Sequence, residues 1–126
     1  MNIATPIARA AYGQREAPVR TARAQEYDLL ARCTQKMAMA WTKRNEDFPL
    51  LATAVHENLQ LWCALAVDVA DQGNGLPASL RAQLFYLYEF TATHSSAVLA
   101  NRASVEVLVD INKAVMRGLR GDGGDL

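Results

Sequence analysis

Apolar positions along this 126-residue chain recur every three to four residues, and nowhere do they alternate with period two for long. That spacing predicts helices and no sheet. From Thr21 to about Trp41, Tyr27, Leu30, Cys33, Met37 and Trp41 fall on one helical face, with Thr34 among them. Pro18 precedes this pattern and Thr21 is placed to cap its first amides. A second pattern opens after Asp47, a capping residue, and Pro49, which suits a first turn because those N–H groups have no helical partner. It runs to about Asp71 on a stripe of Leu51, Val55, Leu59, Trp62, Leu65, Ala66 and Val69. A third, opened by Pro77, runs to about Leu99 on Leu80, Leu84, Leu87, Tyr88, Thr91 and Val98. A fourth spans Ser104 to about Leu119 on Val105, Leu108, Val109, Val115, Met116 and Leu119, with Gly118 as its stop. The expected fold is all-α: a small bundle of three to four helices over 21–120 with short loops, a flexible or docking N-terminal arm over 1–20, and a disordered tail over 121–126.

The stretch ADQGNGLPASLR, Ala70 to Arg81, has the composition of a ligand loop and the order of a turn. A phosphate loop needs a lysine and a hydroxyl after its last glycine, and a calcium loop needs spaced acids ending in glutamate. Neither is present. Gly73 can take the left-handed conformation that ends a helix, Asn74-Gly75 is turn chemistry, and Leu76 is held extended before Pro77.

Two features of the helical pattern exceed what one buried face needs. Leu84 to Phe90, LFYLYEF, is apolar nearly all round. With Leu84 at the centre of the core face, Phe85, Tyr86 and Phe90 point about 100°, 200° and 240° away. Either the third helix is central to the fold, or these aromatics meet a partner or a second copy of the chain. Conversely, Asn58 and Asn112 fall within the apolar stripes of the second and fourth helices, alongside the core tryptophan Trp62. A buried amide without partners costs about 1 to 3 kcal/mol. Both are therefore expected to be buried and hydrogen-bonded, to each other or to a loop backbone. The alternative is that they line a groove and bond a client's backbone.

Charge and chemistry narrow the function. Formal net charge is zero, which gives no support to nucleic-acid binding. Up to residue 23, however, Arg9, Arg15, Arg20 and Arg23 face a single acid, Glu16. This segment lacks serine and contains Gly13 and Pro18, a poor match to a transit helix. Ile3, Ile7, Ala8, Ala11 and Tyr12 are spaced like one face of a short helix, which fits a docking segment as well as a frayed terminus. No apolar run reads as a membrane span or a secretory core, so a soluble, unexported chain is expected. Cys33 and Cys63 are isolated, and His56 and His94 are far apart. These residues have no recognised metal-ligand spacing, and none of the common nucleophile or metallohydrolase motifs occurs. The chain is expected to be no enzyme, with no catalytic residue, no metal and no cofactor.

The order of several motifs resembles the FlaF family of flagellar biogenesis proteins. Asn58 and Trp62 stand as Asn-x-x-x-Trp, Leu76-Pro77 opens a Leu80-Arg81-Ala82 helix, His94 comes late in that helix, and Asp110-Ile111-Asn112 is followed by Met116, Gly118 and Leu119. The early Ala11-Tyr12 and Glu26 also fit, whereas Pro18 is followed by Val19 where the family has arginine. The resemblance covers about Ala11 to Leu119. It implies a cytoplasmic regulator or chaperone that binds flagellin and promotes its synthesis and export. It implies contact with a FlbT-like regulator or the export apparatus. On this view Phe85, Tyr86 and Phe90, with Tyr12 in the arm, are the client contacts, and Asn58, Trp62 and Asn112 are structural. Rival expectations are a post-transcriptional regulator of flagellin mRNA and a structural homodimer.

Overall fold

The computed structural model describes the backbone of residues 16–120 and the side chains of residues 24–119. The expectations for residues 1–15, Tyr12 among them, and for the tail at 121–126 lie outside the described residues. Within them are four α-helices, α1 (Glu16–Thr42), α2 (Phe48–Ala70), α3 (Ala78–Leu99) and α4 (Glu106–Arg120), plus one 3₁₀ turn at Gln72–Asn74 and no strand.

Boundaries follow the local chemistry, with three corrections. Helix α1 begins at Glu16 rather than after Thr21. Pro18 thus lies in its first turn, where the missing N–H costs nothing, and Thr21 is inside the helix rather than capping it. Helix α4 continues through Gly118 to Arg120, since one glycine inside a helix costs only about 1 kcal/mol and does not end it. Between α2 and α3 the left-handed residue is Gly75, at φ 91°, and not Gly73, which sits in the 3₁₀ turn. There the Asp71 side chain accepts from the Gly73 amide at 3.0 Å, so a side chain does the work expected of a glycine. The other signals hold. The Asp47 carboxylate accepts from the Leu50 amide at 3.1 Å with Pro49 in the first turn, and the Ser104 hydroxyl accepts from the Glu106 amide at 3.0 Å. Asn101, at φ 62°, ends α3 in the left-handed region that asparagine tolerates.

Helix α2, not α3, is the central helix. It packs against both α1 and α3, and α1 in turn packs against α4. Among the described residues α1 and α3 do not approach each other, and α3 meets α4 only slightly. The spatial order is therefore α4–α1–α2–α3, with a seam between the outer pair. By length and composition α2 would also qualify as a membrane span, which apolar runs in the sequence do not suggest. Its place between two helices accounts for that apolar character in a bundle, and its buried Asn58 is hydrogen-bonded within the core.

The core has two apolar parts and a polar layer between them. Met37, Leu51, Val55, Val98, Val105 and Leu108 fill the end nearest the α1–α2 and α3–α4 connections. Leu30, Leu61, Trp62 and Val115 fill the other. Thr34, Asn58 and Asn112 each lie one helical turn from both parts, and all three are buried. Asn112 Nδ2 donates to Asn58 Oδ1 at 2.8 Å and to Thr34 Oγ1 at 3.0 Å, while Trp62 Nε1 donates to Asn112 Oδ1 at 2.9 Å. The Thr34 hydroxyl passes its own hydrogen to the Leu30 carbonyl at 2.7 Å. One amide thus ties α1, α2 and α4 at a single height, and these bonds fix their register as a polar core residue does in a coiled coil.

Candidate functional site

At the end of the bundle where α1 and α3 begin and α2 and α4 finish, the α3–α4 seam opens into a groove of about 630 Å³. Its floor is the last turns of α2, with Leu65, Asp68 and Val69. One wall is α3, with Ser79, Leu80, Gln83 and Leu84, closed at the foot by Leu76 and Pro77. The opposite wall is Glu26 and Leu30 of α1 with Val115, Gly118 and Leu119 of α4. Gly118 has no side chain to fill the seam, which suits a wide groove and gives that glycine a role other than stopping the helix. The lining is mostly aliphatic and its charged members, Glu26 and Asp68, are both acids.

The floor is electrostatically tuned. Burial pushes the Asp68 carboxyl above the usual carboxylate range, and the charge of Asp71 adds to this. The Asn74 amide, donating to Asp68 Oδ2 at 3.1 Å, opposes it. The loop is built from these residues: the Asn74 side-chain oxygen also accepts from the Leu76 amide at 3.2 Å. Arg81 holds the end of α2 through the Val69 carbonyl at 3.3 Å and the Asp71 carbonyl at 3.4 Å. The stretch that reads as a turn in the sequence is a turn, and it forms one rim of the groove.

The aromatics of α3 split into two groups. Tyr86 is 63% exposed, Phe90 38% and Phe85 37%. Tyr86 and Phe90, four residues apart, lie on one strip that continues from the groove wall at Ser79 and Gln83. Phe90 stacks on His94 at 5.7 Å between ring centroids. Phe85 lies on the other flank, edge-on to Tyr88 at 5.6 Å, and the Tyr88 hydroxyl accepts from the Cys63 thiol at 3.8 Å. The three aromatics therefore do not make one patch, and Tyr12 is outside the described residues. The aromatic run of α3 is not explained by a central position, since α2 holds that place.

The remaining candidates for chemistry are dispersed. His56 is exposed, and His94 Nε2 donates to the Ser104 carbonyl at 2.8 Å, pinning α3 to the start of α4. Cys33 is half-buried, and burial followed by the nearby Glu57 carboxylate raises its thiol pKa, which keeps it a poor nucleophile. Among the described residues no group of three or more His, Cys, Asp or Glu side chains is arranged to hold a metal ion.

Two things escape the sequence. The groove is assembled from all four helices, so no contiguous motif marks it. Ser95, one turn beyond Thr91 on α3, is fully buried beside the expected stripe; its small size and i, i+4 spacing are the only signals. No curated protein and no solved structure matches the chain. The family model described as flagellar protein FlaF, however, matches residues 8–119, nearly the whole chain and all four helices. The chain belongs to the FlaF family of flagellar proteins.

Proposed function

We propose that the protein is a cytoplasmic flagellin-binding chaperone that promotes flagellin production and export, and that it has no enzymatic activity. The groove between α3 and the α1–α4 pair is the observation that carries this. Flagellin's terminal segments become ordered helices only in the filament. Before assembly such segments expose apolar stripes and self-associate. A helical bundle with an open aliphatic groove can cover one of them by the helix-in-groove mode, in which side chains at i, i+3, i+4 and i+7 enter the cleft. Leu65, Val69, Leu80 and Leu84 supply the apolar floor and wall, and Tyr86 and Phe90 extend that wall outward as aromatic anchors. Such binding needs neither nucleotide nor metal, and release follows from competition at the export apparatus or through a FlbT-like partner.

The charge of the site speaks against the RNA reading. A nucleic-acid surface wants lysine and arginine, whereas Glu26 and Asp68 are the charged side chains lining the groove. Light scattering on the purified protein mixed with flagellin is the direct test. A persistent one-to-one complex at micromolar concentration is expected. Absence of any association would sink the proposal, and binding to flagellin mRNA that weakens steeply with salt would replace it.

A further inference from the structure

Leucines alone would let the groove accept any amphipathic helix, and its floor carries something more selective. Asp68 and Val69 follow Leu65 by about one turn on α2, so all three share the floor. Asp68 is half-buried there, and its Oδ2 accepts from the Asn74 amide at 3.1 Å. The other charge acting on it is Asp71, a second carboxylate, and among the described residues no lysine or arginine does so. Arg81, at the same end of the bundle, is engaged with the Val69 and Asp71 carbonyls. Glu26, on the α1 wall, adds further negative charge to the lining.

A helix laid over this floor takes water away from Asp68. If it presents only apolar side chains there, the carboxylate is covered with one amide as its partner, and a desolvated charge without sufficient partners opposes binding. A glutamate or aspartate at the same place adds repulsion. A lysine or arginine removes the penalty, because its methylene stem lies along Leu65 and Val69 while its charged head reaches the carboxylate.

We infer that the groove between α3 and the α1–α4 pair selects an amphipathic helix whose apolar stripe carries a lysine or arginine, seated against the Asp68 carboxylate on the floor. The inference rests on the reading of the groove as the client site and adds what the client must present. The aliphatic lining supplies most of the affinity, and Asp68 sets the register. Sliding the helix by one turn, about 5.4 Å, parts the cation from the carboxylate. Helices without the cation are rejected by the desolvated acid, a discrimination that apolar attraction does not provide.

The experiment titrates the full chain, by fluorescence anisotropy, with labelled helical peptides of about five turns. All share one leucine stripe at i, i+3, i+4 and i+7, and they differ only in where a single lysine replaces glutamine beside that stripe. One lysine position is expected to bind about fivefold to tenfold more tightly than the others, with glutamate at that position binding most weakly. The preference should disappear in Asp68→Asn, which keeps an oxygen for the Asn74 amide, whereas Leu80→Ser should weaken every peptide. Binding that ignores lysine position, a preference that survives Asp68→Asn, indifference to Leu80→Ser, or no binding at all would each overturn the inference. Flagellin is then titrated into the wild-type and Asp68→Asn proteins. Equal affinity for both would leave the client reading standing and overturn the inference. Flagellin bound by neither, with the peptide preference intact, would sink the client reading and leave the selectivity for a cation-bearing helix in place.

Discussion

The two ends of α3 differ in how far the rest of the bundle covers them. Toward its C-terminus, Thr91, Ser95 and Val98 are fully buried, and His94 is tied to the Ser104 carbonyl where the chain turns into α4. Toward its N-terminus, Leu80, Leu84, Leu87 and Tyr88 are only half-buried and α4 has drawn away. The residues are larger and more apolar where they are less covered. That inverts the usual relation between size and burial, and the physical consequence is a closed end, where even the Thr91 and Ser95 hydroxyls are buried without a side-chain hydrogen-bond partner, and an open end with apolar surface to spare. Stability should therefore concentrate in the α1–α2–α4 contacts, and affinity in the seam beside α3.

The largest effect should come from Trp62→Ala, which removes a fully buried indole from the core between α1, α2 and α4 and leaves Asn112 Oδ1 without its donor. The expected cost is about 3 to 5 kcal/mol in urea unfolding. A cost near that of a surface substitution would show that the polar layer is not where stability lies. Asn112→Leu should follow, at about 2 to 4 kcal/mol, since it orphans Trp62 Nε1 and Asn58 Oδ1 together. Asn58→Leu should cost less, because Asn58 Nδ2 already lacks a protein partner. The double variant should be less damaging than the sum of the two, since each leucine removes the group that the other would orphan. Strict additivity would contradict the bonded pair.

How much of this was legible in the sequence differs between the two ends for the same reason. Helices, the cap at Asp47, and the buried stripes are local properties, and a 3.6-residue period carries the stripes. The two asparagines stood out because a polar residue inside an apolar stripe contradicts its neighbours, and the contradiction itself implies a partner. The bonding partner across the core could be anticipated only as a type of residue. That it also takes in Thr34 and Trp62 depends on the relative height of three helices. The groove was not legible at all, because it is a property of what does not pack: the separation of α3 from α4, which are consecutive in sequence and would be expected to lie side by side. The centrality of α2 was missed for a related reason. Its stripe is wide, taking in Ala54 and Leu61 as well as the expected leucines and valines, whereas the eye is drawn to the aromatics of α3.

At the open end the balance should reverse. Leu80→Ser should cost about 1 to 2 kcal/mol of stability, since the side chain is only partly buried, and it also removes part of the groove wall and should weaken flagellin binding roughly tenfold, equivalent to about 1.4 kcal/mol. A large fall in the melting temperature with unchanged binding would mark Leu80 as core. Tyr86→Ala should be gentler still: unfolding free energy within about 0.5 kcal/mol of the parent and binding weaker by about fivefold, as for an aromatic at the edge of an interface. Phe85→Ala, on the opposite flank, is the control that sharpens the comparison. It should leave client binding unaltered.

The smallest effect expected is at Asp68, and its sign distinguishes a groove shaped for binding from one shaped for stability. Burial and the neighbouring Asp71 raise its pKa above the ordinary carboxylate value. The folded protein therefore holds this proton more tightly than the unfolded chain does. By linkage the Asp68 contribution to stability is most favourable in acid and declines as pH rises from the ordinary carboxylate range through the raised folded value. At neutral pH the ionised carboxylate is a mild liability to the fold, and Asp68→Asn, which keeps an oxygen for the Asn74 amide, should raise the melting temperature by no more than about 3 °C. That gain should vanish on acidification below the ordinary carboxylate range, where the parent side chain is already neutral. Binding should move the other way, because an ionised acid on the groove floor attracts basic partners. Differential scanning calorimetry of parent and variant across that pH range, with a flagellin titration at neutral pH, checks both halves. A variant that is less stable at neutral pH would mean that the ionised Asp68 is well solvated or paired in the fold, and the groove floor would no longer be a place where stability has been given up for recognition.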